Sequence, residues 1–116
     1  MLTEPCRVLV SEKIADSGVD LLRERFEVDV ALDLSGEALA ERIGDYHGLL
    51  IRSATQVTAE VIERAGRLRV IGRAGIGVDN VDVPAATKRG IIVANAPQSN
   101  IVAAAEHTIA LMLALA

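Results

Sequence analysis

Gly72-Arg73-Ala74-Gly75-Ile76-Gly77-Val78-Asp79-Asn80-Val81-Asp82 is the stretch that decides how this chain is read. The run before it, Leu68-Arg69-Val70-Ile71, is apolar enough for a buried strand, and Val83-Pro84-Ala85-Ala86-Thr87-Lys88-Arg89 after it reads as a helix. Pro84 falls in the first turn of that helix and Lys88-Arg89 in the last, the polarity a helix dipole favours. Gly72, Gly75 and Gly77 let the backbone turn tightly and approach another group, because no Cβ blocks the way. The free N–H groups of such a turn, with the permanent cation of Arg73 among them, suit a small anion.

Working outward, the same alternation recurs. Upstream, Arg7-Val8-Leu9-Val10 is a short apolar strand closed by Ser11-Glu12, and Ile14 to Arg25 is a helix weakened at Gly18 by about 1 kcal/mol against alanine. Phe26-Glu27-Val28-Asp29-Val30 alternates with period two, which predicts a strand with one wet face at the sheet's edge. Ser35 is a candidate N-cap for a helix to Ile43, ended by Gly44. Gly48-Leu49-Leu50-Ile51-Arg52 is a continuous apolar strand finished by an arginine, followed by the polar loop Ser53-Ala54-Thr55-Gln56. Thr58 caps a helix from Ala59 to Ala65 that Gly66 stops. Downstream, Gly90 ends the helix after the glycine turn, and Ile91-Ile92-Val93-Ala94 is a fifth strand. Asn95-Ala96-Pro97-Gln98-Ser99-Asn100 then leads into a long helix from about Ile101 to Ala116.

Strand centres near Val8, Val28, Leu50, Val70 and Ile92 recur without any repeated residue motif, which argues against a solenoid. Near-continuous apolar strands alternating with helices predict a parallel sheet covered on both faces. Right-handed crossovers then give a flavodoxin-like, doubly wound α/β fold: five parallel strands in the order 2-1-3-4-5, with the wetter second strand at the edge.

Composition narrows the function. The chain has 116 residues, single-domain length, and 51% of them are apolar, chiefly aliphatic, so the core is built from branched side chains. Phe26 and Tyr46 are the only aromatics, which leaves no base-stacking surface, and the net charge of −4 opposes phosphate-backbone binding; nucleic acid is not expected. Cys6 is the single cysteine and reads as a small buried residue. His47 and His107 lack metal-ligand spacing, and no metal site is expected. Met1-Leu2-Thr3-Glu4-Pro5 does not look like a secretory leader, and no apolar run has the length of a membrane span, so a cytoplasmic setting without membrane contact is expected.

In an open parallel sheet, ligands sit beyond the carboxyl ends of the strands near the reversal of strand order, here between strands one and three. Arg52 ends strand three, Arg73 follows strand four next to it, and Asn100 enters the last helix on the same rim. Two guanidinium groups, the amides of the glycine turn and a carboxamide are therefore expected to converge on one anion, a carboxylate or phosphate. Asp79 and Asp82 could ligate a metal, but capping the next helix is the better account. Gly75-Ile76-Gly77-Val78-Asp79-Asn80 starts like a dinucleotide fingerprint, yet Asn80 takes the third glycine's place and no acidic residue follows at the ribose distance. A phosphorylated receiver would need an acidic residue where Arg52 stands, and a flavin carrier would need aromatics.

Leu50-Ile51-Arg52-Ser53-Ala54-Thr55, the long run from Gly72 to Asp82, Asn95-Ala96-Pro97 with Asn100, and Ala105-Glu106 together resemble the NAD-dependent D-2-hydroxyacid dehydrogenases. The Arg-Ser-Ala-Thr segment is similar to the phosphoglycerate branch of that family. The resemblance implies that residues 1–100 belong to a substrate-binding domain and that residues 101–116 begin a helix crossing to an NAD-binding domain. It implies that Arg52, Ser53 and Arg73 hold a substrate's phosphate and carboxylate, that Ala74 and Gly75 offer backbone amides, that Asn100 lies on the substrate side and that Ile76 touches the nicotinamide end of NAD. The family's catalytic Arg, Glu and His have no match in this chain, and His107 does not match the histidine. The implied activity is oxidation of 3-phosphoglycerate to 3-phosphohydroxypyruvate, the first step of serine synthesis, in a homo-oligomer; this piece alone is expected to be inactive and to self-associate through Ile101 to Ala116. An unphosphorylated substrate such as glycerate or lactate, or a stand-alone anion-binding or dimerisation module, are the alternatives.

Overall fold

Five parallel strands form one sheet in the order β2-β1-β3-β4-β5. The computed structural model of the chain describes residues 6–96 except 15, 33, 35 and 76. The strands are β1 (Arg7–Val10), β2 (Glu27–Val30), β3 (Gly48–Ile51), β4 (Val70–Ala74) and β5 (Ile92–Ala96). The helices are α1 (Asp16–Arg23), α2 (Gly36–Arg42), α3 (Ala59–Arg64) and α4 (Val83–Lys88). The doubly wound order read from the alternating pattern is the one found.

Side-chain alternation sorts the strands onto two cores. Leu9, Leu49 and Ile71 are register partners across β1, β3 and β4, and all three are fully buried with residues of α2, α3 and α4. Val8, Val10, Leu50 and Val70 face the other way and meet Val19 and Leu22 of α1 together with Ile14 and Phe26. Helices therefore cover both faces. β2 lies at the edge as expected, but its burial does not alternate: Val28 and Asp29 are both half-buried, and Val30 at its end is 44% exposed. Asp29 on that strand accepts from the Tyr46 hydroxyl at 2.6 Å and from Arg7 Nη2 at 2.9 Å, which pairs the phenol's polar end while its ring is buried.

Several boundaries differ from the sequence expectation. β4 runs through Gly72, Arg73 and Ala74, because Gly72 pairs with Leu50 and Ala94, and Arg73 with Ile51 and Asn95. These residues belong to the strand, and the turn starts only at Gly75. β5 likewise extends through Asn95 and Ala96. α1 begins at Asp16, later than expected, with Ile14 buried ahead of it. Phe26 sits outside β2, tucked beneath α1. α2 passes into a 3-10 turn, Ile43–Asp45, that carries the chain through Gly44. Thr58 and Asp82 cap α3 and α4 as expected, accepting from Val61 N at 3.4 Å and Ala85 N at 3.1 Å. Gly90 takes the left-handed φ of +72° that ends α4. Ser35, Ile76, Asn100 and the helix expected from Ile101 to Ala116 lie outside the described residues.

Leu50 is fully buried at the centre of the sheet. Replacing it with alanine is expected to cost about 2–5 kcal/mol in urea unfolding; a loss of only a few tenths would contradict this packing.

Candidate functional site

Parallel strands point their carboxyl ends to one rim, and the segments leaving β1, β3 and β4 meet there. Ser11-Glu12-Lys13 leaves β1, Arg52 to Val57 leaves β3, and Gly75 to Asp82 leaves β4. The last two are joined as a short parallel bridge between Val57 and Val81. Val57 N donates to Asn80 O at 2.9 Å, and Asp82 N donates to Val57 O at 2.9 Å.

Asn80 strengthens this seam. Its Nδ2 donates to Arg52 O and to Thr55 O, both at 2.7 Å, and the residue is 7% exposed. Glu12 holds the same loop by its amides: its carboxylate accepts from Arg52 N at 2.6 Å, Thr55 N at 3.0 Å and Ala54 N at 3.1 Å. Ser11 and Thr55 share a buried hydroxyl–hydroxyl bond of 3.0 Å. The loop Arg52-Ser53-Ala54-Thr55 is thus pinned on both its donor and its acceptor sides before any ligand arrives. Sequence reasoning missed Glu12 and Asn80. Glu12 follows β1 at the switch point, a position that could have marked it, whereas Asn80 drew notice only as a residue spoiling a glycine motif.

The expected meeting of the two guanidinium groups is not found among the described contacts. Arg73 shares register with Ile51 and so projects to the face of α2, α3 and α4. Its guanidinium folds under the glycine turn, where Nη1 donates to Gly77 O and Nη2 lies 3.7 Å from Asp79 Oδ1. The Arg73 side chain is 8% exposed and that of Asp79 91%. A Cβ on Gly75 would lie 2.9 Å from Arg73 Nη1, so a side chain there would make the guanidinium shift from this position. Arg52 instead reaches across to the segment after β1, with Nη1 3.4 Å from Lys13 O. That is a long, weak contact, and it leaves the guanidinium available to a stronger partner. Ser53 beside it is exposed, and Ala74 and Gly75 are buried. A concavity of about 530 Å³ between α3 and α4, where Ile62, Pro84 and Ala85 meet Glu63 and Lys88, is lined by none of the predicted site residues.

Burial alone would raise the Glu12 carboxyl, but the amides of Arg52, Thr55 and Ala54 and the Thr55 hydroxyl outweigh it and hold it below the ordinary carboxylate range. Asp29 is also held low, chiefly by the Tyr46 hydroxyl. The unfolded chain therefore binds these protons more tightly than the folded one. Their stabilisation is complete above the ordinary carboxylate range and is lost as pH falls through the lowered values. Urea unfolding across that acid window should show falling stability in the wild type and a flatter profile in Glu12→Gln; identical profiles would contradict the amide contacts.

The family model described as "D-isomer specific 2-hydroxyacid dehydrogenase, catalytic domain" matches residues 8–112. The chain is 54% identical over 111 residues to D-3-phosphoglycerate dehydrogenase 2, chloroplastic, of Arabidopsis thaliana, covering 95% of this chain and 18% of that protein. It is 50% identical over 111 residues to the D-3-phosphoglycerate dehydrogenase of Archaeoglobus fulgidus, covering 95% and 21%. Among solved structures, the NAD+-bound 3-phosphoglycerate dehydrogenase of Entamoeba histolytica superposes with a TM-score of 0.72 at 30% identity, covering 84% of this chain and 34% of that one. The PH0520 protein of Pyrococcus horikoshii OT3 does so with a TM-score of 0.78 at 36% identity, covering 97% and 34%. The chain spans about a fifth of the length of the curated relatives it matches. With the sheet order, the glycine turn after β4 and a match across most of its length, this chain belongs to the D-isomer specific 2-hydroxyacid dehydrogenase family, within the catalytic domain.

Proposed function

We propose that this chain is the substrate-binding part, residues 1–100, of an NAD-dependent D-3-phosphoglycerate dehydrogenase, which oxidises 3-phosphoglycerate to 3-phosphohydroxypyruvate at the start of serine synthesis. The observation that carries the reading is the pinned loop Arg52-Ser53-Ala54-Thr55 at the sheet's carboxyl rim, with a cation whose guanidinium makes a long, weak bond to Lys13 O. The names of the relatives at about 50% identity support the phosphorylated substrate over glycerate or lactate.

In this reading the chain binds and orients. Arg52 and Ser53 take the phosphate, for which a planar guanidinium and a hydroxyl are suitable donors. The carboxylate is assigned to Arg73, the amides of Ala74 and Gly75, and Asn100. The Arg73 guanidinium is engaged under the turn by Gly77 O and Asp79, so it meets the carboxylate only on leaving both partners, of which the exposed Asp79 is the more weakly held.

The described residues do not fit a dinucleotide's pyrophosphate. The Arg73 guanidinium fills the hollow under Gly75, Asn80 stands in the third glycine's place, and Asp82 sets a carboxylate on the start of α4. The cofactor is assigned as NAD, held mainly by a nucleotide-binding domain that residues 101–116 lead into, with Ile76 at the nicotinamide end. A cytoplasmic homo-oligomer is the setting inferred. Among the described residues no helix is long and apolar enough to cross a membrane.

Titration of 3-phosphoglycerate and D-lactate into the chain, followed by amide NMR, tests this. The phosphorylated acid is expected to shift residues 52–55 at the lower concentration. Arg52→Ala should weaken it roughly 10–100-fold, the loss of a charge-assisted contact, while the sheet's spectrum is kept. Equal affinity for both acids, or for both proteins, would remove the assignment.

A further inference from the structure

Three backbone amides in a row of four, those of Arg52, Ala54 and Thr55, point at one carboxylate, that of Glu12. A loop of small residues following an apolar strand would otherwise offer those donors to a bound anion. Here the chain supplies the anion itself. Glu12 is well placed to do so, because Ser11 beside it is fully buried and its amide donates to Leu50 O at 3.2 Å, which fixes the start of the segment against β3. Asn80 fastens the carbonyls of Arg52 and Thr55 from the opposite side. What remains for a ligand is the outer surface: the Arg52 guanidinium and the exposed Ser53.

We infer that Glu12 is a positioning residue for ligand binding, an internal carboxylate that fills the amide nest of residues 52–55 and so presents Arg52 and Ser53 to the phosphate of a phosphorylated hydroxy acid. The inference rests on the functional reading above and deepens it. Glu12 touches no ligand. Only an ionised carboxylate offers two acceptor oxygens and no donor, so it can bridge three N–H groups at once. Glutamine of the same length turns an NH2 group toward at least one amide, and the loop then loses its single shape.

Glu12→Gln should weaken 3-phosphoglycerate binding about tenfold, as expected when charge-assisted bonds that hold the donor loop are lost. It should also speed hydrogen exchange at the amides of Arg52, Ala54 and Thr55 at least tenfold while exchange in β3 and β4 is unchanged. Ile43→Val, a buried truncation ahead of β3 at the opposite end of the sheet, is the stability control and should leave both readouts as in the wild type. In an Arg52→Ala background, adding Glu12→Gln should change affinity less than twofold, since the residue acts through the loop that carries Arg52. Wild-type exchange rates in Glu12→Gln, or an affinity loss matched by Ile43→Val, would overturn the inference. A wild-type chain that binds no 3-phosphoglycerate would instead sink the functional reading, and the exchange rates would still decide whether Glu12 holds the loop.

Discussion

A buried side-chain amide, that of Asn80, ties the loop after β3 to the turn after β4. Loops at a sheet's rim are ordinarily its most mobile parts, because their backbone groups bond to water as readily as to protein. Here the carbonyls of Arg52 and Thr55 are taken by Asn80, the neighbouring amides by Glu12, and the two segments run side by side through the bridge of Val57 and Val81. Ordering costs that a ligand would otherwise meet on binding are met when the chain folds. The rigid layers beneath make this possible: fully buried residues on both faces of β1, β3 and β4 leave the ends of those strands no freedom to separate.

Strand parity sets the chemistry of the rim. Arg52 and Arg73 lie on adjacent strand ends, but one residue's difference in register sends their side chains apart. Arg73 goes down under the turn and braces it against Gly77 O and Asp79, and Gly75 lacks a Cβ to make room. Arg52 stays on the outside. Without a ligand the two cations are therefore placed differently, one folded under the turn and the other held outside it beside Ser53.

The fold was legible because its signals are periodic: four apolar strands, an alternating edge strand and capped helices between them. Thr58, Asp82 and Gly90 mark helix ends by local chemistry, and local chemistry is what a sequence displays. The site was legible only in part. Arg52 and the glycine turn stand out as residue types, but the strand's continuation through Arg73 depends on pairing with Ile51 and Asn95, which are distant in the chain. The partners of Glu12 and Asn80 are forty or so and twenty-five or more residues away, and such contacts leave no local pattern. Family membership emerged from motif identity, which the fold alone would not supply.

The account stands on Asn80 as the tie that holds a ligand-ready rim, and its replacement by alanine is the most direct trial. Loss of the donor to one buried and one partly buried carbonyl is expected to cost about 1–3 kcal/mol in urea unfolding. With the chain still folded, amide NMR should show residues 52–55 and 77–82 losing their single set of signals, and 3-phosphoglycerate should no longer shift them at concentrations that saturate the wild type. An Asn80→Ala chain with wild-type stability, sharp loop signals and undiminished affinity would contradict the account.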